Sequence, residues 1–305
     1  MQSLEELGPF FPGSRIGVML VHGLGGTPTE MKSVAKRLNK YGFSVLCPQL
    51  AGHCSSEADL IATTWSDWTD SAEQAHARMA EHMDAIFVGG LSAGAVLSLY
   101  LAQRRPDSVR GLGLYSTTLR WDGWSIPKLS FLLPLVLRLP YIGKRYRFEE
   151  VFPYGIMNEK LRRRIHAQMR SGDSAAAGLS STPGTSLREM WRLVAIVKKD
   201  LPKVVTPALL IHARNDDIAS LRNALYVRKR LGGPADLLLL DNSYHMITVD
   251  QERNKVCDAT AVYFHNLLSE AEKEELARHA QEDVPEVVPE VLDNGVELRR
   301  EQSVA

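Results

Sequence analysis

The sequence predicts an α/β fold: a mostly parallel central sheet of about six strands, with helices on both faces and a helical insertion between two strands. Three observations predict it. Short aliphatic runs alternate with amphipathic stretches from Ile16 to Leu114 and again from Ala208 to Leu268. Most of these runs end in Gly, Pro or a small polar cluster. Between the two stretches, from about Ser116 to Pro202, no run has convincing strand character. Alternation of this kind is what a parallel sheet covered by crossover helices requires.

Ile16 to Val21 is the first strong strand, closed by His22-Gly23 and a glycine-rich turn. Thr29 to Tyr41 then reads as a helix, because Met31, Val34, Ala35 and Leu38 fall on one face. Ser44 to Cys47 is the next strand, stopped by Pro48, and Trp65 to His82 is an amphipathic helix. Ala85 to Val88 is a buried strand that runs directly into Gly89-Gly90. The helix Ala93 to Arg104 and the strand Val109 to Leu114 complete this half. Within the insertion only helical pieces stand out, Asn158 to Arg170 and Thr185 to Lys199. The rhythm resumes with the strand Ala208 to His212, a helix near Leu221 to Leu231, the strand Asp236 to Leu240 and a helix from about Gln251 to Leu268. The expected organisation is therefore a core of residues 1–115 and 203–268, a helical insertion over 116–202, and a charged tail over 269–305. The tail repeats V-P-E with few large apolar residues, so a frayed helix followed by disorder is expected there.

Charge and cysteine usage exclude several classes. Lys plus Arg and Asp plus Glu each number 36, which leaves no basic excess for a nucleic-acid partner. Three cysteines, Cys47, Cys54 and Cys257, are too few and odd in number for a disulfide framework, so a reduced, cytoplasmic setting is expected. The N-terminal residues lack the pattern of a secretory leader. The greasiest run, Phe131 to Leu139, is about half of a membrane span and contains Pro134 and Arg138, so no integral membrane segment is expected. No metal-binding or phosphate-cradling spacing occurs, and the sequence therefore calls for neither a metal nor a cofactor.

The chemistry concentrates in Gly90-Leu91-Ser92-Ala93-Gly94. A buried strand precedes this motif and a helix follows, the setting in which a serine sits on a sharp turn with its hydroxyl exposed. Glycines are needed because side chains there would strike the strand or the helix. Helix N-terminal amides behind Ser92 are available to a developing oxyanion. A serine needs a base, and the base needs an acid to orient it. Both candidates follow in the order Ser, Asp, His: Asp216 or its neighbour Asp217 after one strand, and His245 after the next, each at a carboxyl end where a parallel sheet places reactive groups. Asp216 is the preferred acid. His22-Gly23-Leu24-Gly25-Gly26 faces the same edge, so the Leu24 amide can join that of Ala93 in an oxyanion hole, while His22, ending its strand directly, is expected to be a structural hydrogen-bonding group.

From about Gly17 to Leu268 the chain resembles the α/β-hydrolases of the serine carboxylesterase and monoacylglycerol lipase type, small bacterial carboxylesterases in particular. The resemblance rests on V-M-L-V-H-G-L-G-G-T, P-Q-L-A-G-H, T-W-S-D-W, G-L-S-A-G, A-R-N-D-D and S-Y-H-M-I-T-V-D-Q-E. It implies nucleophile Ser92, acid Asp216, base His245 and oxyanion donors Leu24 and Ala93. The departures from the family pattern are Ala95 and Cys54 at positions where glycine is common, and Tyr244 beside the base, which implies a narrower pocket mouth. So little chain precedes Ile16 that the two leading antiparallel strands of larger hydrolases are expected to be missing. The insertion then corresponds to a cap, in which Trp121 to Tyr141 either lines an acyl pocket, meets a lipid surface, or simply packs on the core.

The expected activity is hydrolysis of small to medium acyl esters or monoglycerides through an acyl-enzyme. A thioesterase or amidase with the same three residues is the alternative, and a non-catalytic binding protein on the same fold a more distant one. The expected partner is a small acyl ester; oligomeric state is left open.

Overall fold

A computed structural model describes residues 3–137, 145–149, 152–170, 178–179 and 181–285. Its central sheet has seven strands: β1 Phe10–Phe11, β2 Ile16–Val21, β3 Ser44–Leu46, β4 Ala85–Leu91, β5 Gly111–Tyr115, β8 Ala208–Ala213 and β9 Ala235–Leu240. They lie in the order β1-β3-β2-β4-β5-β8-β9, all parallel except β1. Six of them match the expected strands. The seventh is a short addition to the expected sheet of about six: Phe10 and Phe11 pair antiparallel with Leu46 and Val45, and two residues are too short a run to show any periodicity. The residues before Ile16 therefore supply one edge strand.

Every residue of β2, β4, β5 and β8 is buried, which is why these strands read as unbroken apolar runs. Alternate side chains nonetheless feed two separate cores. Ile16, Val18 and Leu20 point into one, with Phe87, Leu209 and Leu238. Met19 and Val21 point into the other, with Val88, Leu112 and Leu210. The first core is closed by α2 (Lys32–Lys40), through Val34, Ala35 and Leu38, and by α10 (Arg253–Asn266), whose Phe264 ring stacks on Phe87 at 4.5 Å. The second is closed by α4 (Trp65–Ala80), α5 (Ala93–Arg104) and α8 (Gly184–Asp200). Burial of Leu and Val side chains at this scale, roughly 1.5–3 kcal/mol each, holds the sheet between its helical layers.

Residues 116–202 lie between β5 and β8. They contain α6 (Leu133–Val136), α7 (Glu159–Arg170) and α8, and also a small antiparallel strand pair that no sequence pattern announces. Its strands, β6 Arg147–Glu149 and β7 Ser181–Pro183, pair antiparallel across a long chain interval. R-F-E and S-T-P carry no strand signature of their own, and Pro183 is tolerated only because it ends its strand. Arg147 fastens the pair to Glu57 on α3 (Glu57–Ala62). Of the run Phe131 to Leu139, Leu137 is buried, whereas Phe131 and Leu135 are 71% and 67% exposed. Arg138, Leu139, Pro140 and Tyr141 lie outside the described residues.

Beyond Ser269 the chain forms α11 (Glu270–His279), opened by a capping box between Ser269 and Glu272 and anchored by buried Leu276. Gln281 and Glu282 then donate backbone hydrogen bonds to Lys40 O, and Glu282 pairs with Arg37 and Lys40. This stretch of the tail is therefore docked against α2. The second V-P-E, and everything after Pro285, lies outside the described residues.

Candidate active site

Ser92 caps the turn between β4 and α5 with φ 57° and ψ −111°, a backbone conformation that costs of order 1–3 kcal/mol for a residue with a side chain. The surroundings enforce it. The Ser92 amide donates to Tyr115 O at 2.8 Å, tying the turn to the neighbouring strand. A Cβ on Gly94 would sit 2.1 Å from Val21 O, and one on Gly90 would sit 2.3 Å from the Gly94 carbonyl carbon. Both motif glycines are thus required by close backbone approach, as the sequence pattern implied. Ala95, the first departure from the family pattern, is fully buried without disturbing this packing.

His245 lies on the loop after β9, and its Nδ1 is 2.8 Å from Asp216 Oδ2 and 3.0 Å from Oδ1. Asp216 Oδ1 also accepts the amides of Ile218 and Ala219, at 2.9 and 2.8 Å. Burial pushes the Asp216 carboxyl up, but the charges and hydrogen bonds of His245, His212 and the Ala219 amide outweigh it and hold the group below the ordinary carboxylate range. His212 gives its Nε2 proton to Ala219 O at 2.7 Å, and burial holds its pKa below the usual histidine range.

Asp217 does something different. Its oxygens accept the backbone amides of His245 (3.2 Å) and Gly155 (3.0 Å), and its carbonyl accepts both the amide and the hydroxyl of Ser125. Burial raises its carboxyl above the ordinary value. Asp216 therefore meets the imidazole ring, while Asp217 meets the backbone of the base loop and of the insertion.

The loop after β2 reaches the same edge, since a Cβ on Gly23 would lie 3.8 Å from Ser92 Cβ. His22 is the structural group expected: Nδ1–H donates to Gly23 O at 2.9 Å, Nε2 accepts the Leu50 amide at 3.4 Å, and burial drops its pKa to about 3. Glu30 accepts the Gly23 amide at 2.9 Å and shapes the loop from behind. Among the described residues the Leu24 amide meets no acceptor, and Ala93 occupies the first helical position, where no intrahelical acceptor exists. Cys54 adopts φ 63°, the left-handed conformation that glycine would take without strain. Tyr244 packs edge-to-face on Trp124 of the insertion at 5.5 Å, so the bulk beside the base is in contact with the inserted segment.

Several further residues at this edge carry no motif in the sequence. Ser92 Oγ lies 3.0 Å from Thr118 Oγ1, and Ser116 Oγ donates to the His245 carbonyl at 2.7 Å. Buried Asp250 accepts the amides of Tyr244, Met157 and Asn158 at 3.0, 2.7 and 3.0 Å. Asn223 Oδ1 accepts the amides of Leu119 and Arg120 at 2.9 and 2.8 Å. The available signal was positional: Ser116-Thr117-Thr118 directly follows a strand at the carboxyl edge, where polar residues gather. Among the described residues no three His, Cys, Asp or Glu side chains gather to hold a metal ion, and no helix is long and apolar enough to cross a membrane.

A parallel sheet with a strained serine between its central strand and the following helix, and an Asp–His pair at the same edge, defines the α/β-hydrolase fold. Residues 13–252 match the family model Hydrolase_4, described as serine aminopeptidase, S33; the chain belongs to this family and is a serine hydrolase. It is 29% identical over 258 residues to a thermostable monoacylglycerol lipase of Bacillus sp. (strain H-257), covering 84% of this chain and 93% of that protein. A carboxylesterase of Bacillus subtilis (strain 168) is 23% identical over 251 residues, covering 81% and 92%. Among solved structures, one from the metagenome-derived lipolytic enzymes LipS and LipT superposes with a TM-score of 0.71 at 26% identity, over 85% of this chain and 96% of that one. The monoacylglycerol lipase of Paleococcus ferrophilus superposes with a TM-score of 0.67 at 20% identity, over 89% and 98%.

Proposed function

We propose that the protein hydrolyses carboxylic esters of small to medium acyl groups, monoglycerides among them, through an acyl-enzyme on Ser92. The observation that carries this reading is the Asp216–His245 pair at the same sheet edge as Ser92. In the first half-reaction Ser92 Oγ attacks the ester carbonyl carbon and its proton passes to His245 Nε2. The carbonyl π electrons move onto oxygen, where the Leu24 and Ala93 amides receive the charge. Collapse breaks the bond to the alcohol oxygen, which takes the proton from His245. In the second half-reaction water attacks the acyl carbon, again giving its proton to His245; the acid leaves and Ser92 regains its proton. Asp216 keeps the proton on Nδ1 so that Nε2 faces the reaction.

Residues 1–115 and 203–268 form the catalytic core in this reading, 116–202 a cap over it, and 269–305 a separate tail. The apolar part of the cap supplies acyl contact, with Leu133 and Leu137 as the side chains that set the preferred chain length. The three unpaired cysteines support a cytoplasmic setting. The names of the lipase and carboxylesterase relatives favour esters over the amide that the family description suggests.

The test is fluorophosphonate labelling with the modified residue mapped by mass spectrometry, beside hydrolysis of ester, thioester and anilide substrates of matched acyl length. Label on Ser92, esters turned over fastest, and a loss of roughly 10⁴-fold in Ser92→Ala are expected. Label on another residue, or a Ser92→Ala enzyme that keeps more than about a hundredth of its activity, sinks the assignment.

A further inference from the structure

We propose that Thr118 is a positioning residue that holds the Ser92 hydroxyl in a resting orientation, from which the serine must be released before it attacks. The proposal rests on the reading of Ser92 as the nucleophile. Thr118 Oγ1 lies 3.0 Å from Ser92 Oγ and 3.1 Å from the carbonyl oxygen of Ser116. A threonine hydroxyl has one proton. A carbonyl oxygen can only accept, so the Ser116 contact uses that proton. Thr118 then accepts from Ser92, and the Ser92 proton is directed at Thr118.

The strip that carries Thr118 is fixed on several sides. Tyr115 O accepts the Ser92 amide, the Ser116 amide donates to Ile211 O at 2.9 Å, and the Ser116 hydroxyl donates to His245 O. Ser116 itself stands at φ 45°, a left-handed conformation imposed by these ties. Thr118 is fully buried. Its acceptor is therefore preset, and the Ser92 hydroxyl is the movable partner, free to rotate about χ1.

Attack requires the bond from Ser92 O–H to Thr118 Oγ1 to be exchanged for one to His245 Nε2. In the acyl-enzyme Ser92 Oγ is an ester oxygen without a proton, and the bond to Thr118 no longer forms. The hydroxyl of Thr118 thus slows acylation and leaves deacylation untouched. This separates a latch from a residue that merely supports the fold, whose loss lowers every rate.

The experiment measures the second-order rate of fluorophosphonate labelling, a direct readout of Ser92 attack, in the full chain and in three variants. Thr118→Val keeps the shape and deletes the hydroxyl; labelling should quicken by up to roughly fivefold, the worth of one net hydrogen bond. Thr118→Ser restores the hydroxyl and should return the rate to that of the parent. Thr117→Val, next door, removes a buried hydroxyl that has no partner and should leave the rate unchanged. Deacylation, followed as the second phase with a nitrophenyl ester, should be equal in all four. A Thr118→Val enzyme that labels at the parent rate or more slowly overturns the latch. A label mapped away from Ser92 fails the site reading instead, and the latch falls with it.

Discussion

Two adjacent carboxylates, Asp216 and Asp217, show how much a single position decides. Both are buried, yet one is held below the usual carboxylate range by an imidazole and the other is raised by its surroundings. Asp216 addresses a side chain; Asp217 addresses backbone amides that need only an acceptor. Asp216→Asn should therefore lower kcat by about 10⁴, because an amide can no longer fix the imidazole tautomer. Asp217→Asn retains an acceptor oxygen for one of its two amides and should cost well under a hundredfold. Steady-state kinetics on a nitrophenyl ester checks the order; if Asp217→Asn is the more damaged, the acid has been assigned one residue too early.

At the scale of elements, the base loop and the insertion are held together by side-chain oxygens that accept backbone amides. Asp250 joins the Tyr244 amide to those of Met157 and Asn158, and Asn223 joins Leu119 and Arg120 to α9 (Arg222–Arg230). Each of these part-buried amides, left without an acceptor, costs about 1 kcal/mol or more. Asp250→Ala should thus lose at least ~3 kcal/mol of stability, whereas Asp250→Asn, keeping one acceptor oxygen, should lose about 1–3 kcal/mol. Urea unfolding of the two variants beside the parent measures the difference. Equal stability in all three would show that the loop and the insertion are held by packing alone.

Across the whole molecule, stability is tied to pH through histidines that are buried neutral. Burial lowers His22 to about 3 and His53 to about 4, and the two rings meet edge-to-face at 5.0 Å. Both values lie below that of the unfolded chain, near 6.5. As pH falls below 6.5 the unfolded state takes up these protons and the folded state does not. Stability is therefore full above pH 6.5 and declines toward pH 4, by roughly 2 kcal/mol per histidine at pH 5. His53→Gln should remove about 2 kcal/mol of that decline. Unfolding free energies at pH 7.5 and pH 5 give the slope; an identical drop in parent and variant would falsify the link.

The sequence by itself determined the order of strands and helices, the buried strands of the sheet centre, and the turn that carries Ser92. Those features are local. A fully buried strand must be apolar along its length, and only glycine permits the backbone approaches at Gly90 and Gly94. The positions of Asp216 and His245 were legible for the same reason, since each follows a strand at the edge where such groups collect. Tertiary structure alone decided what each group touches. Neighbouring side chains point in different directions, so the choice between Asp216 and Asp217 depended on the path of the loop after β8. The β6–β7 pair and the β1 edge strand arise from pairing with distant chain, for which three-residue and two-residue segments carry no periodicity. Thr118 is an ordinary threonine until folding brings it within 3.0 Å of Ser92 Oγ, a contact between residues on adjacent strand ends that no spacing in the sequence encodes.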